Sequence, residues 1–189
     1  MPGDEKRFLL QKNGIFFLEE IDDSSSYIMT MNLLSDYVLK NKTPVWVLLS
    51  SPGGGVVHGF AIYDMLKAVA LSGRQVNVVG VGYVASMATV IMQAGTIRYS
   101  LPNTQFLVHQ VREVLPFFKS EEVTEGRERV KEMERVNDIV LKIITDRSGM
   151  ELEKLKSLIE KKDLWLNADD ARKFGTNGLV DEVITSLPF

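Results

Sequence analysis

The sequence predicts an α/β fold built on a mostly parallel sheet, and three observations lead to this prediction. Short unbroken apolar runs rich in Val, Leu and Phe have the character of strands buried on both faces. Segments in which apolar residues recur at helical spacing separate these runs. The separations are long enough for crossover helices, so successive strands are expected to lie parallel in right-handed strand–helix–strand units.

The first part of the chain alternates strands and helices after a polar start. Residues 1–6 are expected to be a disordered N-terminus, and a strand is predicted at 15–18 after the Asn13-Gly14 turn signal. The segment 22–26 is rich in capping residues and is predicted to be a loop before a helix. One face of that helix is expected to carry four apolar residues: Ile28, Met31, Leu34 and Val38.

The middle of the chain supplies the centre of the predicted sheet. Strands are predicted at residues 45–49, 76–81 and 95–99, with a helix at 56–69 between the first two. Glycine-bearing turns close the first two of these strands, and a further helix is predicted directly after Ser86. This alternation is typical of an open parallel sheet with helices covering it.

The last part of the chain is predicted to begin with a strand at 106–109 and an irregular, unusually apolar segment at 111–119. A long charged handle helix is expected at about 120–146. Its apolar seam is narrow, as in a helix that contacts another chain, although an ordinary amphipathic helix on its own domain is the alternative. The seam consists of Val130, Met133, Asn137, Val140 and Ile144. The remaining predicted elements are a helix at 151–161, a helix that starts at Asn167 and a strand at 179–184.

The composition fits a single globular domain that covers residues 1–189. Hydrophobic residues make up 45% and charged residues 25%, and the net charge of -3 gives no basis for a nucleic-acid or membrane partner. The absence of cysteine excludes disulfides and thiolate catalysis, and two histidines disfavour a multi-histidine metal site. No apolar run approaches the roughly 20 residues of a membrane span. We expect a cytoplasmic protein that uses no metal and no cofactor.

Ser86 stands at a predicted strand-to-helix turn, which is a position that suits an exposed nucleophile. A serine hydroxyl needs a nearby base and N–H groups that point at the oxyanion formed in the reaction. The helix that follows offers unpaired N–H groups at its first turn. The alternative is that Ser86 only caps this helix, as serines commonly do.

A second glycine-bearing turn, Pro52-Gly53-Gly54-Gly55, follows the neighbouring predicted strand and also precedes a helix. Loops at the carboxyl ends of neighbouring parallel strands face the same crevice. The N–H groups of Gly54 and Met87 can therefore form an oxyanion hole. The sequence contains neither of the glycine fingerprints that bind nucleotide phosphates, so a nucleotide site is disfavoured.

Two histidines compete for the role of general base. His109 ends a predicted strand on the Ser86 side of the sheet, although a histidine in that place can also be a satisfied core residue. His58 would lie in the first turn of a helix, where the dipole disfavours the imidazolium that a general base becomes. The residues alone leave several acids open as the third group: Asp146, Asp163, Asp169, Asp170 and Asp181.

Six motifs in register resemble the proteolytic subunit of Clp protease, with matching order and spacing over about residues 7–185. They are Ser51-Pro52-Gly53-Gly54, Ile62-Tyr63-Asp64, Gly82-Tyr83-Val84-Ala85-Ser86-Met87, Leu101-Pro102-Asn103, His109-Gln110 and Gly178-Leu179-Val180-Asp181. The resemblance implies a ClpP/crotonase-type fold with repeated ββα-like units. It also implies a serine endopeptidase that hydrolyses peptides and unfolded proteins inside a homo-oligomeric chamber of two stacked rings.

The resemblance further implies a role for individual residues. Ser86 would be the nucleophile, His109 the general base and Asp163 the group that orients the imidazole. Gly54 and Met87 would donate their N–H groups to the oxyanion. Contacts with the substrate are expected from Gly53, Gly55, Gln110 and Val111. No cofactor is implied, except for ATP that a partner unfoldase would use.

Several departures from the family pattern modify these expectations. The short N-terminus leaves no room for the axial hairpin of the family, so we expect a Clp-type ATPase to stimulate the protein weakly or not at all. The segment 109–113 has the sequence His-Gln-Val-Arg-Glu, where the family continues with proline and a glycine-rich strand. Lys162 replaces an arginine before the predicted triad aspartate, and His58 replaces a small residue.

Three other functions stay open. A crotonase-type acyl-CoA enzyme would share the fold and the oxyanion hole but would not need the triad. A catalytically silent ring-scaffold subunit would need neither a nucleophile nor a base. A Ser/Lys dyad would use a lysine in place of His109. Labelling of Ser86 by a fluorophosphonate probe, and turnover of CoA thioesters by a Ser86→Ala variant, distinguish these possibilities.

Overall fold

The chain folds around one mostly parallel sheet, in a computed structural model that describes residues 2–112 and 122–189. The strands are β1 (Ile15–Ile21), β2 (Val45–Gly54), β3 (Val76–Ala85), β4 (Ile97–Ser100), β5 (Gln105–Val108), β6 (Leu164–Asn167) and β7 (Glu182–Val183). The main path has the order β1-β2-β3-β4-β7, with parallel neighbours throughout. β5 pairs parallel with the end of β3, and β6 pairs antiparallel with β5. The predicted α/β fold class is confirmed.

The helices cover the sheet and bury its apolar faces. They are α1 (Pro2–Lys12), α2 (Asp23–Val38), α3 (Val56–Leu71), α4 (Met87–Met92), α5 (Val123–Ser148), α6 (Leu152–Ile159) and α7 (Ala168–Arg172). The centre of the core lies between β2, β3 and α4, where many side chains have no exposed surface: Val45, Val47, Leu49, Val78, Val84, Ala88, Val90, Ile91 and Met92. In the described ranges, no helix combines the length and the apolar character needed to cross a bilayer.

β2 and β3 run further than the sequence predicts, through the glycines that were expected to end them. The register between β2 and β3 shifts after Leu49, and beyond the shift Ser51 of β2 pairs with Val84 of β3. Gly53 and Gly82 adopt φ values of +101° and +68°, which glycine tolerates and other residues rarely adopt. Both strands therefore deliver their ends directly into the loops that carry the candidate site.

Within the segment 1–6 that was expected to be disordered, the described residues from Pro2 onwards lie in helix α1. The helix ends at Lys12, the side chain of Asn13 donates to the carbonyl of Leu9 at 2.8 Å, and Gly14 then turns the chain with a φ of +75°. Its apolar side chain Phe8 is 65% exposed. A pattern of buried residues could not reveal this helix, since Phe8, Leu9 and Leu10, its apolar residues with described side chains, are all exposed.

The apolar face predicted for α2 is not the face that packs on the core. Asp22 caps the helix through a hydrogen bond from the Ser25 N–H at 2.7 Å, so the helix begins inside the predicted loop. The buried residues are Ser26, Met29 and Leu33. The predicted face is exposed at Met31, Leu34 and Val38. Because α2 carries two apolar stripes, its sequence could not show which of them faces the sheet.

The predicted handle helix at 120–146 corresponds to α5, which starts at Val123 and continues to Ser148. The predicted irregular segment falls mostly on residues 113–121, which lie outside the described residues. The two ends of α5 differ in burial: Val130 is 48% exposed, whereas Val140 and Ile144 are buried in the core of their own domain. The second half of the seam therefore packs on its own domain, and Val130 in the first half is exposed.

Candidate active site

Ser86 lies between the end of β3 and the start of α4, in a conformation that few non-glycine residues adopt. Its φ and ψ are +54° and -124°, and such backbone strain commonly clusters at functional sites. Its N–H donates to the carbonyl of Leu107 at 2.9 Å, and its carbonyl accepts from the Thr89 hydroxyl at 2.6 Å. Within the described residues, its side chain makes no capping hydrogen bond to α4. The hydroxyl is thus left for another role.

The glycine-bearing turn of β2 lies directly against Ser86. A Cβ atom on Gly53 would lie 2.6 Å from the Cβ of Ser86 and 3.1 Å from the backbone nitrogen of Met87. A Cβ on Gly54 would collide with the carbonyl oxygen of Ile21. Only glycine therefore fits at both positions, and this close approach places the main chain of β2 beside the first N–H of α4.

A cavity of about 160 Å³ opens beside the Ser86 side chain. Six residues predicted for the site line it: Gly54, Ser86, Met87, His109, Gln110 and Val111. Four aliphatic side chains form its apolar wall: Val56, Val108, Val140 and Ile144. The structure thus brings the predicted nucleophile, base and oxyanion donors to one place. Gly53 contacts Ser86 from the adjoining loop, and Gly55 donates its N–H to Ile21 at 2.8 Å.

His109 follows the last residue of β5 and is partly buried. Its Nδ1 lies 2.5 Å from the carbonyl oxygen of Gln110. A carbonyl oxygen only accepts hydrogen bonds, so Nδ1 carries the proton in this contact. Nε2 of the neutral ring is then free to accept a proton, which is the tautomer that a general base for Ser86 requires.

Asp163 precedes β6 and forms an ion pair with Arg112, whose Nη2 donates to its Oδ1. It lines a neighbouring cavity of about 260 Å³, which shares Gln110, Val111 and Arg112 with the cavity beside Ser86. Within the described residues His109 bonds to Gln110 and Asp163 bonds to Arg112, so the triad contact expected from the resemblance is not formed. The role of Asp163 stays a prediction.

Among the described residues, the rival groups do not line the Ser86 cavity. Nδ1 of His58 is 3.5 Å from the hydroxyl of Ser26, and among the described residues that line the Ser86 cavity His58 is not found. Asp146 pairs with Lys142 at 2.8 Å. Asp181 pairs with Arg98, which lies in strand β4. The geometry thus favours His109 over His58, and Asp163 lines a cavity that shares three residues with the Ser86 cavity.

Helix α4, which follows Ser86, is anchored at its far end by a buried arginine that the sequence reasoning missed. The Arg98 side chain is only 1% exposed, and it donates to the side-chain oxygen of Gln93 at 2.7 Å. Gln93 in turn donates to the carbonyl of Thr89 at 2.9 Å. Burial would raise the pKa of the Asp181 carboxyl, but the hydrogen bonds from Arg98 outweigh it and hold this pKa below its usual value. The signal available in the sequence was one charged residue, Arg98, inside a segment predicted to be a strand.

The family model described as Clp protease matches residues 3–187. The chain belongs to the Clp protease family. This match covers nearly the whole chain and confirms the resemblance that the six motifs indicated. Membership in this family supports peptidase activity, which argues against the crotonase-type acyl-CoA alternative.

Two further side chains near the site of this Clp protease were not predicted to act there. Asn137, the polar member of the α5 seam, accepts a hydrogen bond from the Val111 N–H at 3.0 Å. It ties the segment after His109 to α5. Arg112 was noted only as a departure from the family pattern, and its partner could not be inferred before the strands were paired.

Proposed function

We propose that this Clp protease is a serine endopeptidase in which Ser86 attacks the carbonyl of a peptide bond. One observation carries the proposal: Ser86 and His109 line the same cavity as Gly54 and Met87, and the Ser86 hydroxyl is not used for capping. The strained turn exposes the hydroxyl, and the tautomer of His109 leaves a nitrogen able to take its proton.

The reaction follows from these groups. Nε2 of His109 accepts the proton as the Ser86 oxygen bonds to the carbonyl carbon, and the N–H groups of Gly54 and Met87 stabilise the oxyanion. His109 then gives the proton to the leaving amine as the C–N bond breaks. The amine half of the peptide departs, and the acyl half remains as an ester on Ser86. Water activated by His109 hydrolyses this ester. Asp163 is proposed to accept from Nδ1 of His109 and to stabilise the imidazolium, and no cofactor takes part.

The walls of the cavity suggest which peptides fit. Its aliphatic lining and its volume of about 160 Å³ suit one apolar side chain next to the scissile bond. The N–H groups of Gly53, Gly55 and Val111 already donate to Ser51, Ile21 and Asn137. These residues would therefore meet the substrate through their carbonyls or through van der Waals contact. Gln110 is exposed at the mouth of the cavity and is proposed to contact the peptide there.

A stripe on α2 supports assembly into an oligomer. Its members are exposed and apolar at heptad spacing: Tyr27 (65%), Met31 (46%), Leu34 (42%) and Val38 (69%). Contiguous exposed apolar surface marks contact with another chain. We expect Leu34→Glu to lower the particle mass in light scattering. Leu71→Glu is the matched control, because Leu71 is 82% exposed at the end of α3 and outside the stripe. An unchanged mass for Leu34→Glu would remove the stripe from the interface.

A fluorophosphonate probe tests the catalytic proposal. We expect one adduct in the intact mass, mapped to the peptide that contains Ser86, and no adduct in Ser86→Ala. Ser50→Ala, which alters a serine on the neighbouring strand β2, should label normally. An adduct on another residue, or no adduct on folded protein, contradicts the proposal, and turnover of CoA thioesters by Ser86→Ala would instead support the acyl-CoA alternative.

A further inference from the structure

Asp163 has two possible partners, and the pairing of β5 with β6 shows why. Val108 lies opposite Leu164 in this antiparallel ladder. Continuing the register by one residue puts His109 opposite Asp163, at the distance where cross-strand side chains meet. Arg112 lies three residues further along the chain and holds the same carboxylate. The imidazole and the guanidinium therefore compete for one acceptor.

The current arrangement gives His109 the weaker of its two acceptors. Its Nδ1 proton goes to the carbonyl oxygen of Gln110 at 2.5 Å. A main-chain carbonyl is neutral, whereas a carboxylate accepts more strongly from a group that becomes cationic. The Gln110 contact preserves the useful tautomer, but it supplies no negative charge to stabilise the imidazolium that forms when Ser86 reacts.

We propose that Arg112 is a positioning residue that withholds Asp163 from His109, so that the triad forms only when Arg112 leaves. This inference rests on the proposed serine peptidase function. The side chains of Arg112 and Asp163 are 62% and 31% exposed, so the solvent screens their attraction. The pair is weak enough to exchange during turnover, and its effect on the rate is correspondingly modest.

Arg112 belongs to both cavities and is therefore placed to respond to the substrate. It lines the Ser86 cavity and the cavity beside Asp163. A peptide that fills the Ser86 cavity would contact the side chain of Arg112 at the cavity wall. Displacement of this side chain would free Oδ1 of Asp163 for the Nδ1 proton of His109. The loss of Arg112 should imitate this displacement in every molecule.

The bound peptide is proposed to displace Arg112 only part of the time, so a gain from losing Arg112 falls on kcat. The test compares kcat and KM for a short fluorogenic peptide in the parent, Arg112→Gln and Arg112→Lys proteins. Arg112→Gln should raise kcat by about twofold to fivefold, the range that a weak exposed pair allows, and should leave KM nearly unchanged. Arg112→Lys keeps the charge and should stay near the parent. Lys156→Gln is the matched control, because it removes another exposed ion pair between two elements, with Asp138 at 2.9 Å.

Salt provides the second readout, which a merely structural role would not move. Raising salt from about 0.01 M to about 1 M shortens the screening length from roughly 30 Å to 3 Å and weakens the pair. The parent kcat should rise with salt and the Arg112→Gln kcat should not, with light scattering confirming equal particle mass. The rate at which a fluorophosphonate labels Ser86 gives the same comparison without turnover.

A double variant distinguishes the possible failures. Adding Asp163→Asn to Arg112→Gln should abolish the gain, since the gain depends on the freed carboxylate. A kcat for Arg112→Gln that equals or falls below the parent value overturns the inference, and so does a gain that survives Asp163→Asn. If instead Ser86→Ala keeps its activity, the proposed function itself is wrong, and this result is independent of Arg112.

Discussion

The two sides of the site are held in place very differently. Ser86 lies between two buried elements, where Ala85 and Met87 are 0% and 3% exposed and the far end of α4 is fastened to Arg98. His109 lies beyond the end of the four-residue strand β5. The segment after it is exposed at Gln110 and Arg112 and is tied to α5 through Asn137.

This difference indicates which side of the site can adjust. Close packing on the Ser86 side gives Ser86 one position, because buried side chains and a strained φ leave no alternative. On the His109 side, exposed polar partners exchange at little energetic cost. The proposed reaction needs Ser86 and His109 in one arrangement, so we expect the His109 side to decide how often the site is competent.

The largest expected effect comes from removing either reacting group. Ser86→Ala and His109→Ala should each reduce kcat/KM by about 10⁴-fold or more, and the double variant should be no worse, because the two groups act as a unit. Peptide hydrolysis measures these rates, with circular dichroism to confirm folding. His58→Ala should stay within about threefold of the parent rate. Additive losses, or an inactive His58→Ala, would contradict the assignment.

A smaller loss is expected from crowding the rigid side. Gly53→Ala places a Cβ 2.6 Å from the Cβ of Ser86, so the nucleophile must shift and kcat should fall by about 10²-fold. Gly73→Ala is the matched control: Gly73 also has a positive φ (+89°), and the described residues leave the space within 4 Å of its Cβ empty. Both variants strain the backbone, but only Gly53→Ala should lose activity. Equal losses would mean that backbone strain alone is responsible.

The preference for a large apolar residue before the scissile bond should be about tenfold. Peptides with Leu before the scissile bond should be cleaved about ten times more efficiently than peptides with Ala, since the aliphatic wall buries the larger side chain. The ratio of kcat/KM values measures this preference. Val56→Asp should reverse it by introducing a charge into the wall, whereas Val57→Asp alters an exposed neighbour and should preserve it. A parent enzyme that cleaves both peptides equally would contradict the proposed pocket.

The smallest expected effect on chemistry comes from the anchor of α4. Asp181→Asn removes the charge that pairs with the buried Arg98 and should lower the free energy of unfolding by about 1–2 kcal/mol at neutral pH, because solvent screens the 35% exposed carboxylate. The pKa of Asp181 lies below its unfolded value of 3.8, so its ionised form stabilises the fold above pH 3.8. This contribution is lost as the pH falls through 3.8 and then through the lower folded value.

Urea unfolding of parent and Asp181→Asn proteins across this pH range checks that prediction. The difference between them should be full near pH 7 and should shrink below about pH 4. A difference that stays constant in acid would show that Asp181 does not act through its charge. Peptide hydrolysis by the folded variant should stay within a few fold of the parent, because the change lies far from Ser86.

The sequence by itself determined the sheet, the turn at Ser86 and the glycine loop beside it. These features depend on local chemistry: β-branched residues favour strands, and glycine permits positive φ at Gly53 and Gly82. The turn at Ser86 and the glycine loop are also two of the six motifs that indicated the family. His109 was favoured over His58 for a local reason as well, its position at the end of a strand.

Only the tertiary structure decided the rest, because those features depend on residues far apart in the chain. Which stripe of α2 is buried depends on where the sheet lies, and α1 gives no sign of itself through burial. The pairing of Asp163 with Arg112 spans 51 residues and requires β5 and β6 to be side by side. A sequence lists the possible partners of a carboxylate, and only folding brings one of them within reach.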